Sequence, residues 1–143
     1  MGDRIGVRSS VLFGVPADVA FGYLVDPHHR PEWQSSLRRV EDVRPALPSV
    51  GQRWVDVTFP GPRPRMETTV LDRPRTWTEA GRWRGIVAEL TLDFVPDGAG
   101  CRVTPTFRVT GRGPARPLAW VVDKVAVLAV LPDLRRAARA LGS

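Results

Sequence analysis

Cysteine occurs once, at Cys101, so the chain contains no disulfide of its own. Asparagine is absent, Lys124 is the only lysine, and isoleucine stands only at Ile5 and Ile86. All three residue types use A/T-rich codons, so a GC-rich coding sequence accounts for the dominance of arginine in the net charge of +6. The arginines are scattered, the densest group being Arg135, Arg136 and Arg139. Nucleic-acid footprints cluster, so nucleic acid is not an expected partner and the basic surface reads as a solvated one. Histidine is confined to the adjacent His28 and His29, whose side chains diverge in a loop near the expected cavity mouth and match no metal-ligand spacing. No metal or other cofactor is expected. The chain lacks a Gly-x-Ser-x-Gly elbow and a phosphate-cradling glycine loop. Its longest apolar run, Leu118 to Leu131, is broken by Asp123 and Lys124 and falls short of the roughly 20 residues that span a bilayer, so it reads as a buried helix. Met1 to Ser10 has charge but no apolar signal core, which points to a cytoplasmic protein.

What is present is ordinary globular composition, 43% hydrophobic and 25% charged, with no shift that marks a boundary, so residues 1–143 read as one domain. Arg4 to Phe13 alternates as a half-buried strand. Pro16 opens a short helix that Asp26-Pro27 ends, and a second helical turn around Pro31 to Ser36 carries Trp33. Six strands follow: Leu37 to Val43, Gln52 to Phe59, Arg65 to Leu71, Arg75 to Ala80, Gly85 to Val95 and Gly100 to Thr110. Their links, such as Pro48-Ser49-Val50-Gly51, Pro60-Gly61-Pro62 and Pro96-Asp97-Gly98, are short, and short links make antiparallel neighbours. From Pro117 the period becomes helical, with Leu118, Val121, Val122, Val125, Leu128 and Ala129 as one apolar face. Pro132 is expected to kink or break this helix, leaving Asp133 to Leu141 as a second amphipathic piece. A sheet with one apolar face and a long apolar helix satisfy each other by packing together. Twist curls seven strands around that helix, and one helix does not fill the curl, so an internal cavity is expected.

Val15-Pro16-Ala17-Asp18-Val19-Ala20-Phe21, Leu24, Asp26-Pro27, Pro31 and Trp33 resemble the opening of the polyketide cyclase/dehydrase and lipid-transport branch of the SRPBCC (START-like) superfamily. Val50-Gly51, Val70 near Pro74, Phe94-Val95-Pro96 and Gly100-Cys101-Arg102-Val103 resemble its later landmarks. The resemblance implies an α+β helix-grip fold, a seven-stranded curved antiparallel sheet wrapped around a long C-terminal helix, with two short helices after the first strand. It also implies a hydrophobic small-molecule partner such as a lipid, quinone or polyketide-like metabolite. It carries over no catalytic residue, and it leaves open whether the chain is an enzyme.

The residues themselves supply candidates. A hollow interior and flat aromatic side chains suit an apolar ligand, which nominates Trp33, Trp54, Trp77 and Trp83 with Met66, Leu90, Phe107, Val121, Val125 and Leu128 as ligand contacts. Met66, Thr68 and Val70 share the face taken as inner, and Trp77 carries Glu79 with it. Were the chain an aromatase/cyclase or dehydratase, Glu79, Asp56, Thr68 and an inward arginine would move its protons. The competing account of Glu79 is a rim ion pair with Arg65 or Arg82. A third function, a basic-surface protein that meets a ribosome, membrane or protein partner, requires a contiguous arginine patch. Cys101, on the apolar face of its strand, reads as an inert small hydrophobe.

Overall fold

The first strand is in two pieces that share one partner. In the computed structural model, which describes residues 5–6, 9–59 and 61–142, β1 (Ile5–Gly6) and β2 (Val11–Phe13) both pair antiparallel with β8 (Gly100–Gly111). Arg4, Val7, Arg8 and Pro60 lie outside the described residues. After α1 (Ala17–Leu24), a 3-10 turn at Pro27–His29 and α2 (Arg30–Trp33) come β3 (Leu37–Arg44), β4 (Arg53–Thr58), β5 (Arg65–Asp72), β6 (Thr76–Trp83) and β7 (Ile86–Asp97). Across the sheet the order is β1-β8-β7-β6-β5-β4-β3, with β2 also on β8, giving seven positions from eight segments. Consecutive strands from β3 to β8 are antiparallel neighbours, as their short links require. This is the curved helix-grip sheet closed by α3 (Arg116–Ala140).

Alternation settles which side of each strand meets the core. On β7 Ile86, Leu90, Leu92 and Phe94 are buried, and on β8 Cys101 and Val103. Burial pushes the Cys101 thiol above its ordinary pKa, which keeps it protonated and unreactive. On β5 the alternation is interrupted. Met66 and Thr68 are buried, but a register shift between Thr68 and Val70 turns Val70 outward, 41% exposed, correcting its expected place on the inner face.

α3 corrects two further expectations. It runs unbroken through Pro132, so Asp133 to Leu141 is not a separate piece. One lost backbone bond is outweighed because Val130 and Leu134, on either side of the proline, sit in the same core, while Pro132 itself faces out. Its buried face is also not the expected one. Ala119, Asp123, Val130, Leu134, Ala137 and Ala138 are buried, whereas Leu118, Val121, Val125 and Leu128 are exposed. The C-terminal half of α3 packs in the core with Phe13 and Phe21; the N-terminal half stands over a hollow.

Candidate functional site

The hollow is a cavity of about 450 Å³ between the inner face of the sheet and α3, within the range of small-molecule sites. Its sheet side is formed by Met66, Trp83, Ile86, Ala88, Leu90 and Phe107, and its helix side by Val121, Val122, Val125, Ala126 and Ala129. Gly81 lines it too, and a Cβ there would lie 2.8 Å from Met66 Sδ, so this glycine gives the Met66 side chain its room.

One wall is charged. α2 is only four residues long, but i and i+3 share a helix face, so Arg30 and Trp33 are buried together. β4 aims Trp54, Asp56 and Thr58 to the interior, and β6 aims Trp77, Glu79, Gly81 and Trp83. Arg30 joins the two strands. Its Nε and Nη2 donate to Asp56 Oδ1 and Oδ2 at 3.2 and 2.7 Å, a bidentate fork, and its Nη1 donates to Glu79 Oε1 at 2.9 Å. Trp54 Nε1 donates to Asp56 Oδ1 at 2.9 Å, and the guanidinium lies 5.1 Å from the Trp54 ring centre. Arg30, Asp56 and Glu79 are all at most 5% exposed.

Burial pushes the Glu79 carboxyl above its ordinary range; the Arg30 charge opposes this and the Asp56 charge adds to it. Burial would lower the Arg30 pKa, but attraction to Asp56 and Glu79 carries it upward, so the guanidinium stays charged. Two polar atoms of the wall have no hydrogen-bond partner among the described residues, Glu79 Oε2 and Trp33 Nε1. Farther along, Asp133 lines the cavity, accepts from the Ser35 backbone N–H at 3.2 Å, and is raised in pKa by burial.

The expected site residues therefore divide. Trp33, Asp56, Met66, Glu79, Trp83, Leu90, Phe107, Val121 and Val125 all line the cavity. Three expected ligand contacts, Trp54, Trp77 and Leu128, do not, nor does Thr68, the third candidate for moving protons. Trp54 lies behind Asp56 as its hydrogen-bond donor. Trp77, 0% exposed, belongs to the core and donates to Thr68 Oγ1 at 3.3 Å, which occupies Thr68 beneath it. Leu128 faces outward, because helical rotation carries it past the cavity wall. The rim pairing of Glu79 with Arg65 or Arg82 does not occur: Arg82 reaches Glu67 on the outer face, at 3.9 Å. Arg30 was not individually identifiable in the sequence. Its only signal is the demand of two inward carboxylates for a cation.

His28 and His29 take no part: His28 Nδ1 lies 2.9 Å from Asp26 Oδ1, and the His29 ring stacks on Tyr23 with centres 4.8 Å apart. Among the described residues no three His, Cys, Asp or Glu side chains are grouped to hold a metal ion, and no helix is long and apolar enough to cross a membrane.

Comparison with known proteins agrees with this architecture. Residues 4–143 match the family described as polyketide cyclase / dehydrase and lipid transport. No curated protein sequence matches the chain. Among solved structures, the di-domain ARO/CYC StfQ from the steffimycin biosynthetic pathway is similar with TM-score 0.74 at 15% identity, over 95% of this chain and 50% of that one. A START superfamily protein from Mycobacterium smegmatis is similar with TM-score 0.73 at 11% identity, over 96% of this chain and 98% of that one. Truncated norcoclaurine synthase from Thalictrum flavum gives TM-score 0.73 at 12% identity, over 98% and 94%. Identities this low speak for the fold alone; the family match covers nearly the whole sequence, and the chain belongs to the polyketide cyclase / dehydrase and lipid transport family.

Proposed function

We propose that this protein binds a hydrophobic small molecule, a lipid, quinone or polyketide-like metabolite, in the cavity between sheet and C-terminal helix. The observation that carries the reading is a cavity of about 450 Å³ with apolar side chains on both the sheet and helix sides and a buried Arg30–Asp56–Glu79 group in one wall. An apolar body fits against Leu90, Phe107 and Val125, and a hydrogen-bonding end of the ligand fits near Glu79 and Trp33, whose unpartnered atoms are otherwise a cost of burial. The whole chain acts as one domain in this reading, in the cytoplasm. Native mass spectrometry of protein purified from its own cells tests it: a stoichiometric apolar molecule is expected. Ala88→Phe adds a ring to the cavity floor and is expected to weaken that binding about tenfold or more while the fold remains, roughly the loss of 1.4 kcal/mol. Undiminished binding in Ala88→Phe places the ligand elsewhere.

A second reading, a polyketide cyclase or dehydratase using the same cavity, is favoured by one specific feature, the interior carboxylate pair. Glu79, whose carboxyl burial pushes toward the protonated form and whose Oε2 is unpartnered, is suited to exchange a proton with a ketone oxygen, and Asp56, fixed by Arg30 and Trp54, has no spare freedom to do so. Glu79→Gln keeps an oxygen to accept from Arg30 but removes the proton donor. In an enzyme it lowers kcat by about a hundredfold; in a carrier it leaves the released molecule chemically unchanged. Equal product from wild type and Glu79→Gln rules out the enzymatic role for this residue.

A further inference from the structure

The first half of α3 is also apolar along the lip of the cavity and on the flank that turns from it to solvent. Leu118, Val121, Val125 and Leu128 recur at spacings of three and four, are 40–78% exposed, and form one stripe; Trp120, 64% exposed, stands beside it. A helix apolar all round is ordinarily covered on every side, and a contiguous exposed apolar stripe marks a contact surface.

The charges around the stripe select the partner. Every exposed charged residue of α3 is positive (Arg116, Lys124, Arg135, Arg136 and Arg139), while its acids, Asp123 and Asp133, are both buried. Arg112 adds to the N-terminal end, where its backbone N–H is tied to Gly85 at 3.1 Å and so fixes the approach to the helix. Arg112, Arg116, Arg135 and Arg139 form no ion pair among the described residues. A second copy laid on this face would set arginine against arginine. A surface that accepts apolar side chains in its interior and carries negative charge at its boundary satisfies both features, and an anionic bilayer is such a surface. Trp120, with Lys124 Nζ 5.5 Å from its ring centre, has the half-apolar, half-polar character of a residue at the headgroup boundary. The stripe also meets the cavity: Val121 and Val125 belong to both, and Phe59 on the opposite lip is 70% exposed.

We infer that the outer face of α3, from Leu118 to Leu128 with its flanking arginines, docks on an anionic lipid bilayer and turns the cavity mouth toward the membrane. Co-sedimentation of the full chain with extruded vesicles tests this. Binding is expected to vesicles of phosphatidylcholine mixed with phosphatidylglycerol, to fall as salt rises, and to be absent with phosphatidylcholine alone. The double variant Arg135→Gln/Arg139→Gln should bind about thirtyfold more weakly, from about 1 kcal/mol for each charge near the surface. Leu128→Glu should abolish binding with an unchanged unfolding transition, since the residue is 78% exposed and lies outside the cavity. No sedimentation with either vesicle, or equal sedimentation with both, overturns the inference. So does a dimer seen by analytical ultracentrifugation that Leu128→Glu dissociates, which would assign the stripe to a second copy. Vesicle binding needs no cavity ligand, so its failure leaves the cavity reading standing.

Discussion

Replacing Arg30 with methionine is expected to destabilise the protein by about 3–5 kcal/mol at neutral pH, because it strands two buried carboxylates whose shared counter-ion is this one guanidinium. The methionine retains much of the apolar stem, so the loss is chiefly electrostatic. Its pH dependence identifies the cause. In the wild type, burial raises the Glu79 pKa and Arg30 pulls it back. A carboxyl whose folded pKa exceeds its unfolded value stabilises the fold below the unfolded value, about 4.3 for Glu, and loses that contribution as pH rises through the folded value. Removing Arg30 deletes the opposing pull and raises the Glu79 pKa further. The difference between variant and wild type should therefore be smallest near pH 4 and grow toward pH 7–8, measured by urea unfolding across that range. Arg30→Met combined with Glu79→Gln should recover part of the loss, since one stranded charge is gone. A deficit that stays constant from pH 4 to 8 and is indifferent to Glu79→Gln would mean that Arg30 acts through packing alone.

The inner lining was legible wherever simple alternation held. Two-residue spacing sets Glu79 on the face of Trp77 and Asp56 on the face of Trp54, but the alternation of Gln52 to Phe59 fits either face inward, so the interior carboxylate pair follows only from the burial of both tryptophans. The same parity argues against Arg65 and Arg82 as partners, because Met66 and Gly81 hold the inner positions next to them. The cation that does arrive comes from a four-residue helix, where no period is long enough to read. Alternation failed at Val70, where a register shift inserts one residue, and at α3, where apolar spacing gave a face but not its environment. Val121, Val125 and Leu128 repeat as core residues do, yet the strand curvature leaves a hollow under that half of the helix and solvent beyond it. The tryptophans divide for a similar reason. Trp33 and Trp83 reach the cavity, while Trp54 and Trp77 are spent on hydrogen bonds behind its wall, a distinction set by depth within the sheet and not by composition.

Gly100→Ala is expected to cost about 3 kcal/mol or more, although its neighbour in the same turn, Gly98, tolerates the same change far better. In the sequence Gly98 ends the Pro96-Asp97-Gly98 link and Gly100 opens the strand that follows it. At Gly98 the backbone has φ +58° and a Cβ would meet nothing within 4 Å, so alanine there bears only the left-handed penalty, about 1–2 kcal/mol. At Gly100 a Cβ would lie 2.1 Å from the Phe13 carbonyl oxygen, a backbone atom that has no rotamer to escape into. Relief requires β2 to move off β8, which unpairs the Val11–Phe13 ladder from Cys101–Val103 and draws the Phe13 side chain, 0% exposed, out of the core it shares with Leu134 and Ala137 of α3. The damage should reach the site by that path: the C-terminal half of α3 is what holds its N-terminal half over the cavity, so ligand affinity falls along with stability. Paired urea unfolding of Gly98→Ala and Gly100→Ala decides the matter. Equal midpoints for the two variants would show that β2 yields at little cost, and that the seat of α3 does not depend on the contact between Gly100 and Phe13.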